Sequence, residues 1–378
     1  MFEITLIFCN SEQMKTIVIG LLLSLSVNGA VLPWTLKSNP QVSYLGQTII
    51  KTGSKFEEKE IGGLSGLSFH NNELWTVTDK NIGGDNHCFI FEVNFSKEFQ
   101  VTIKRKIALK KTTNKSLPDQ ESDQESITTL PDGTFLTSME GDLHGFKKHP
   151  PAIYYFDMTG IELQQFILPD LYLGNIKNNR GILDNKGPEA FTYFKDNNQD
   201  YFILSSEFPL KQDEQKKSYP IRLGFMTTKL NNKIWNKPIT TKEFLYLIDD
   251  EKTGLVDMSV YSPQIILTLE RTFNPFTMHV SGKIFKVSWD QKSSNIINIP
   301  RLEKTDLSKL IPVKKTLLVD LEEIAINAGL TLDNFEGITI IPSGNDKEVV
   351  LGIVSDNNYN PMQQTVFAGF KVKKAALK

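Results

Sequence analysis

The chain has 378 residues, of which 42 are Lys or Arg and 44 are Asp or Glu, so its formal net charge is −2. A chain without excess positive charge lacks the field that recruits nucleic acid or an anionic membrane, so we expect neither as a partner. The length would suit two ordinary domains, but an internal repeat favours one closed domain.

The first predicted element is a secretory leader within residues 1–30. Met14 is followed by one basic residue, by an apolar run over Thr16–Val27 and by the small residues Gly29–Ala30, which is the layout of a signal peptide. The apolar run is too short for a good membrane span. Because Met1–Gln13 fit this layout poorly, we expect Met14 to be the true start. The mature protein is then secreted or periplasmic and has no membrane span; an uncleaved anchor is the alternative.

From residue 31 to residue 378 we predict a single domain built from repeated β-meanders. Short runs rich in Val, Ile, Thr, Phe and Tyr alternate with turn sequences such as Pro131–Gly133. Related runs recur roughly every 60 to 80 residues, a period that suits one four-stranded unit per repeat.

The predicted strands form four complete units and one partial unit. The first two units comprise Gly66–Phe69, Leu74–Thr78, Phe89–Asn94 and Gln100–Leu109, then Ser126–Leu130, Phe135–Met139, Ala152–Asp157 and Leu163–Leu168. The next two comprise Glu189–Phe194, Tyr201–Ser206, Ile221–Thr227 and Lys242–Ile248, then Asp257–Tyr261, Ile265–Leu269, Lys283–Trp289 and Thr316–Leu321. The last has only Glu336–Ile341, Val349–Val354 and Thr365–Val372, while an unassigned strand, Val42–Ile50, precedes the first unit.

The strand Val42–Ile50 and the partial C-terminal unit can complete one blade and close a ring. Closure removes the exposed sheet edges that an open array would present. We therefore predict an all-β fold, a β-propeller of five four-stranded blades. A sixth blade is the alternative if the insertion at Asn274–Lys283 or at Asn295–Lys315 contains a degenerate one.

One helix and one loop are predicted outside the strands. Asp320–Leu330 has a capping residue in Asp320, acidic residues in its first turn and Gly329 near its end, a pattern that predicts a helix. The polar run Lys211–Ser218 is expected to be a solvated loop.

Acidic residues recur at two places in the repeat. The first strands carry Glu125, Glu189, Asp257 and Glu336, and the second strands end at Asp79, Glu140, Glu207, Glu270 and Asp356. In a propeller blade the first strand lines the central channel and the second runs antiparallel to it. We therefore expect all these acids to meet at one end of the channel, the channel mouth.

Crowded carboxylates repel one another unless their pKa values rise, basic residues pair with them or a cation binds. Carboxylates, amides and backbone carbonyls are hard ligands that favour calcium, whereas ligand spacing for zinc is missing. The alternative is structural: the acids accept hydrogen bonds from backbone amides of neighbouring blades and pair with Lys80, Arg180, Lys186 and Arg271.

The motifs resemble those of the propellers described as esterase-like activity of phytase, or phytase-like domains, over residues 42–373. The resemblance rests on the ordered motifs Gly62–Leu67, Thr76–Asp79, Asp123–Ser126, Pro131–Gly133, Ser138–Gly141, Gly187–Ala190, Leu269–Phe273, Asn334–Gly337 and Val354–Tyr359. Ser126 and Ala190 stand where the family usually has glycine, and Lys211–Ser218 is an insertion. The resemblance implies a propeller fold and hydrolysis of phosphate or carboxylic esters.

We therefore expect an exported, monomeric hydrolase of a small anionic or phosphorylated ester, with calcium bound by Glu125, Glu189, Glu336 and Asp356. The expected catalytic residues are Glu189, Glu270, Arg271 and Asp79. Arg271, with Lys80, would neutralise charge on the phosphoryl group, and Glu270 or Asp79 would orient water as a base.

Two other classes of function stay open. A binding or scaffold propeller could use the same mouth with a structural calcium ion. A metal-independent carboxylesterase would need a nucleophile, and Ser65 lacks the strand-to-helix elbow of such enzymes.

Overall fold

The computed structural model describes residues 34–80, 85–118, 121–141, 149–174, 179–183, 186–274 and 279–378. The predicted leader lies outside these ranges. No helix in the described ranges is both long enough and apolar enough to cross a membrane.

The described strands form five antiparallel blades in chain order: four are four-stranded sheets, and the fifth has four strands extended by one short strand. Two strands, β1 (Trp34–Thr35) and β2 (Val42–Lys51), and a short hairpin, β3 (Lys55–Phe56) with β4 (Lys59–Glu60), precede the first blade. Blade 1 consists of β5 (Leu64–His70), β6 (Glu73–Thr78), β7 (His87–Asn94) and β8 (Gln100–Ala108). Blade 2 consists of β9 (Gln124–Thr129), β10 (Phe135–Met139), β11 (Ala152–Phe156) and β12 (Glu162–Ile167).

The remaining blades carry the insertions. Blade 3 consists of β13 (Ala190–Asp196), β14 (Gln199–Ser205), β15 (Tyr219–Thr228) and β18 (Ile239–Ile248), with the hairpin β16 (Leu230–Asn231) and β17 (Ile234–Trp235) before its last strand. Blade 4 consists of β19 (Thr253–Ser262), β20 (Ile265–Asn274), β21 (His279–Ser288) and β22 (Lys314–Asp320), with a 3-10 helix at Leu307–Lys309. After the helix α1 (Leu321–Ala328), blade 5 consists of β23 (Asn334–Pro342), β24 (Glu348–Asp356), β25 (Gln364–Lys373) and β2, and a 3-10 helix at Lys374–Leu377 follows.

The predicted closure is confirmed, because β2 pairs antiparallel with β25, from Val42 opposite Val372 to Lys51 opposite Gln364. The first strands of the blades, β5, β9, β13, β19 and β23, contact one another in a complete circle and are called the inner strands. Five blades are present in the described residues. The insertion before β22 holds a 3-10 helix and not a sixth sheet.

The predicted helix is also confirmed. The Asp320 side chain accepts a hydrogen bond from the backbone N–H of Glu322, and the helix ends at Gly329, which has a left-handed φ of 75°. A carboxylate cap and a terminal glycine are the signals that the sequence provides for both ends.

Aromatic side chains fill the space between neighbouring blades. Phe91 and Phe367 have ring centroids 4.7 Å apart between blades 1 and 5. Tyr155 and Trp235 meet edge to face at 5.9 Å between blades 2 and 3. All four side chains are buried, so the period-2 pattern of the strands produces a core that runs from blade to blade.

The inner strands approach one another so closely that small residues are needed near the channel axis. A Cβ on Gly66 would lie 2.7 Å from the backbone N of Ile127, and one on Gly337 would lie 2.7 Å from the carbonyl carbon of Gly66. Gly66 also has a left-handed φ of 65°. This crowding explains why a small residue follows the acid in the repeat.

One carboxylate joins the inner strands at this narrow point. Asp257 of β19 accepts hydrogen bonds from its neighbour's N–H at Met258 (2.8 Å), from Ile338 N of β23 (2.8 Å) and from Leu67 N of β5 (3.3 Å). The hydroxyl of Ser126 of β9 lies 3.0 Å from Asp257 Oδ1 and 2.9 Å from a carbonyl oxygen of β13. Asp257 and Ser126 thus connect all five inner strands.

Replacement of Asp257 by Ala should destabilise the protein by about 3 to 5 kcal/mol, because each buried donor left without an acceptor costs about 1 to 3 kcal/mol. Denaturant-induced unfolding followed by tryptophan fluorescence would measure this change. Asp346→Ala, which removes an exposed acid, is the control and should stay within about 0.5 kcal/mol of the parent. Equal stability of the two variants would contradict the role of Asp257.

Candidate functional site

A cavity of about 760 Å³ opens at the channel mouth. Its walls come from all five blades and are predominantly charged. The charged residues that line it are Asp79, Lys80, Asp123, Glu125, Lys186, Glu189, Glu207, Glu214, Lys216, Glu251, Lys252, Arg271, Glu336 and Asp356. A volume of this size suits a small-molecule ligand.

β-Bulges turn the first-strand acids into this cavity. The ladder between β9 and β10 skips Glu125, and the ladder between β23 and β24 skips Glu336. A residue that is extra to the ladder is re-aimed relative to its neighbours. In blade 3, Glu189 stands directly before the first paired residue, Ala190, and lines the cavity in the same way.

Blade 4 departs from the predicted pattern by one residue. The extra residue of β19 is Val256, so Asp257 takes the place of the small residue near the axis. On β20, Arg271 pairs with Gly254, two residues before the bulge, which is the register that the second-strand acid has in blade 5. Blade 4 therefore contributes one cation, Arg271, where the other blades contribute acids.

This offset places Glu270 outside the cavity, although the sequence predicted it as a catalytic residue. Glu270 is buried and accepts a hydrogen bond from Tyr246 OH at 2.5 Å, and its Oε1 lies 2.5 Å from Nζ of Lys315. Successive side chains of a strand point to opposite faces, so Arg271 and Glu270 cannot both face the mouth. The expectation that Asp257 lies at the mouth is also wrong, for the same reason.

Six of the nine acids in the repeat line the cavity, namely Asp79, Glu125, Glu189, Glu207, Glu336 and Asp356. All the predicted metal ligands, Glu125, Glu189, Glu336 and Asp356, are among them, as are the predicted catalytic residues Asp79, Glu189 and Arg271. The structure therefore brings together every predicted site residue except Glu270.

Arg271 is the main counter-charge of the site. Its Nη1 donates to Glu336 at 2.6 Å and its Nη2 donates to Glu207 at 2.7 Å, and Asn334 accepts a further hydrogen bond. These contacts span blades 3, 4 and 5 and hold the guanidinium in one orientation. They confirm part of the structural alternative, in which basic residues pair with the acids.

The two lysines of the site are more exposed than Arg271. Lys80 Nζ lies 2.8 Å from Asp79 Oδ2. Lys186 Nζ lies 3.8 Å from Glu207 and 3.5 Å from the centre of the Phe208 ring. Their side chains are 49% and 39% exposed, so both can reach a ligand in the cavity.

Asp123, Glu125 and Glu140 form the tightest carboxylate group. Each offers an oxygen that lies within 4.8 Å of the oxygens of the other two. Glu140 also accepts a hydrogen bond from the N–H of Gly187 in the next blade at 2.8 Å, and Glu125 accepts one from Ser65 at 2.9 Å. Asp123 was not among the predicted metal ligands, although residues two apart along an extended strand lie on the same face, and this spacing from Glu125 could have indicated it.

Burial raises the pKa values of six carboxyl groups at the mouth, and the negative charges of their neighbours raise them further. These groups are Asp79, Glu125, Glu140, Glu189, Glu336 and Asp356. The pKa of Glu336 rises to about 7 because burial outweighs the opposing charge of Arg271. The protein by itself thus has too little positive charge at the mouth to keep all of these groups ionised.

This donor set fits a hard divalent cation. An ion that binds oxygen ligands at about 2.3 to 2.6 Å can contact three oxygens with the spacing of the Asp123–Glu125–Glu140 group. Within the described residues, this group contains no His or Cys, which are the ligands that zinc prefers. A bound cation would also relieve the repulsion that raises the pKa values.

The family model described as "Phytase-like: Esterase-like activity of phytase" matches residues 59–359. The catalytic domain of the Coprinopsis cinerea GH62 α-L-arabinofuranosidase is 12% identical, with a TM-score of 0.44 over 88% of this chain and 98% of that chain. The Bombyx mori GH32 β-fructofuranosidase is 8% identical, with a TM-score of 0.41 over 84% of this chain and 61% of that chain. These two similarities are too distant to indicate an activity. No curated protein matches the chain.

Without divalent cations, the stability of the protein should fall as the pH rises from about 4.5 to about 7. A carboxyl group whose folded-state pKa is raised, such as Glu336 at about 7, stabilises the fold below its unfolded-state pKa. That stability is lost as the pH rises through the folded-state value. Thermal unfolding in a chelator at several pH values would measure the trend. The Glu336→Gln variant should show a shallower trend, and a parent melting temperature that increases with pH would contradict the assignment.

Proposed function

Because the chain belongs to the phytase-like family, we propose that it is an exported hydrolase of phosphate esters that acts in the cavity at the channel mouth. The observation that carries this proposal is the meeting of nine acids and five basic side chains, among them Lys80, Lys186 and Arg271, in one cavity. Such a site can hold a cation and a phosphate together. The leader pattern in residues 1–30 supports export.

We assign calcium as the cation, held by Glu125 together with Asp123 and Glu140. Glu336 and Asp356 line the same cavity and remain available as further ligands. When bound, the cation would supply positive charge that attracts phosphate and polarises the ester and water.

The basic residues bind and orient the phosphate. Arg271 is held by Glu207 and Glu336, so its position is set before substrate binds. Lys80 and Lys186 reach the cavity from blade 1 and from the entrance to blade 3. Charge that accumulates on the phosphoryl oxygens is stabilised by such preorganised cations.

Glu189 and Asp79 are the groups suited to move protons. Within the described residues, the Glu189 carboxyl makes no hydrogen bond or ion pair, and burial raises its pKa well above the usual value. One oxygen of Asp79 pairs with Lys80, and the other, Oδ1, is buried without a partner. In hydrolysis, water attacks phosphorus, the ester P–O bond breaks and the leaving oxygen gains a proton. Asp79 can orient the water, and protonated Glu189 can supply that proton.

A binding or scaffold propeller with structural calcium is the second candidate. The hydrogen bond from Gly187 N–H to Glu140 and the bonds of Asp257 show that acids of the repeat also connect neighbouring blades. These contacts favour a structural role for part of the acid series.

Glu189→Gln should lower kcat for a phosphate ester by about 10²- to 10⁴-fold, the usual contribution of a general acid. The melting temperature should change little, because the replaced carboxyl makes no hydrogen bond. Phosphate release from phytate and from 4-nitrophenyl phosphate, by protein that starts at Val31, would be measured with calcium and with a chelator.

Glu270→Gln is the matched control, because it makes the same chemical change outside the cavity. It should lower the melting temperature, through the loss of its contacts with Lys315 and Tyr246, and should retain activity. If the parent releases no phosphate under any condition but is strongly stabilised by calcium, the binding propeller is the correct function.

A further inference from the structure

The two polar insertions of blades 3 and 4 meet in the structure. The prediction that Lys211–Ser218 is a solvated loop is wrong in part, because Gln212 and Asp213 are fully buried. The segment that covers them belongs to the insertion between β21 and β22, about Ile299–Thr305. We call residues 208–219 and 299–305 together the composite wall.

A buried ion pair holds the base of the composite wall. Arg222 of β15 donates to both oxygens of Asp213, at 2.7 Å and 2.9 Å, and to Glu243 at 2.7 Å. It also donates to the carbonyl oxygen of Ile299 at 2.8 Å, and Asp213 accepts from the N–H of Leu302 at 2.9 Å. A bidentate Arg–carboxylate contact sets orientation as well as distance, so both insertions are held against blade 3.

A second set of hydrogen bonds joins the two insertions above this pair. Gln215 Nε2 donates to the carbonyl oxygens of Leu302 at 2.6 Å and Thr305 at 3.1 Å. The N–H of Glu303 donates to the carbonyl oxygen of Gln212 at 3.2 Å. The loop of blade 3 therefore has a defined position although most of its tip is polar.

The composite wall faces the candidate site. Its residues Phe208, Pro209, Glu214, Gln215, Lys216 and Tyr219 line the cavity. Glu214, Gln215 and Lys216 also line an adjoining groove of about 570 Å³, together with Lys217, Glu303 and Lys304. The acids at the mouth and this groove are thus connected through Lys216.

The groove as a whole has a small excess of basic residues. Lys216 and Lys217 are exposed, and neither ammonium group is paired with a carboxylate in the described residues. Glu303 lies 2.9 Å from Arg301, which offsets its charge. Glu214 is the remaining acid, so the groove has three lysines, Lys216, Lys217 and Lys304, and two acids, and Lys216 is the lysine that it shares with the cavity.

We propose that the composite wall is a specificity element in which Lys216 binds a second anionic group of the substrate, remote from the ester that is cleaved. This inference rests on the proposed function. Substrates with several separated phosphates gain an ion pair at Lys216, whereas a substrate with a single phosphate occupies only the mouth. Arg222 and Asp213 are positioning residues that act through the loop.

Lys216→Ala tests the proposal with two substrates. KM for phytate, which carries several phosphates, should increase about five- to twentyfold, the loss expected for one charge-assisted contact. KM for 4-nitrophenyl phosphate, which carries one phosphate, should change less than about twofold, and kcat for both should be retained. Equal changes in KM for the two substrates, or no change in either, would overturn the proposal.

Lys195→Ala is the control, because it removes an exposed lysine at the β13–β14 turn, outside the cavity. Its KM and kcat should match those of the parent with both substrates.

Asp213→Asn keeps the shape of the buried pair but removes the charge of Asp213. It should raise KM for phytate while KM for 4-nitrophenyl phosphate stays near the parent value. A stability loss in Asp213→Asn without this difference in KM would assign the pair a structural role only.

A binding measurement separates this proposal from the proposed function. Calorimetric titration of phytate into the calcium-loaded protein does not require turnover. The parent could bind phytate without hydrolysing it, and Lys216→Ala could weaken that binding about five- to twentyfold. This result would contradict the proposed hydrolase function and support the proposed role of Lys216. Equal affinity of the parent and of Lys216→Ala for phytate would overturn the proposed role of Lys216, whether or not the parent is a hydrolase.

Discussion

The close approach of the five inner strands is the constraint on which the rest of the structure depends. Where β5, β9 and β23 meet, a side chain on Gly66 or Gly337 would collide with the backbone of the next blade. Only small residues fit near the axis, with one exception. Asp257 fits because its carboxylate replaces the hydrogen bonds that the converging backbone groups would otherwise lack.

The same convergence decides where the acids point. The hydrogen-bonded pairing of the inner strands with the second strands is interrupted by bulges close to the channel axis. The bulges place Glu125 and Glu336 at the mouth. The mouth thereby collects more negative charge than Arg271 and four lysines can neutralise, and burial of the excess charge is unfavourable. A site of this kind favours a cation, and it favours an anionic ligand once the cation is bound. The preference for a cation follows from the convergence of the strands and from the carboxylates that the bulges place at the mouth.

Blade 4 shows how a repeat can acquire a distinct role through a shift of one residue. Its acids, Asp257 and Glu270, do not occupy the positions at the mouth that the acids of the other blades occupy. Asp257 binds backbone N–H groups near the channel axis, and Glu270 pairs with Lys315. The equivalent register positions are taken by Val256, which is buried in the hydrophobic core, and by Arg271, which lines the cavity. One blade in five therefore supplies the main counter-charge of the site, Arg271. The insertions of blades 3 and 4 add a second asymmetry, because they are joined through Arg222 and Asp213 at one side of the cavity only.

The sequence by itself determined the propeller, the closure by Val42–Ile50 and the helix after Asp320, and it favoured five blades with a sixth left open. These features depend on local signals: a period of two in the strands, turn residues, a capping carboxylate and a unit that recurs along the chain. It also determined most of the acids at the mouth, because their spacing follows the repeat. The tertiary structure alone decided the bulge register of β19 and hence the positions of Asp257, Glu270 and Arg271. Side chains that differ by one residue along a strand face opposite sides, and a bulge leaves no mark in a single sequence. The tertiary structure also decided the burial of Asp213, since its partner Arg222 and the backbone of Leu302 are distant in sequence and meet only when both insertions fold against blade 3.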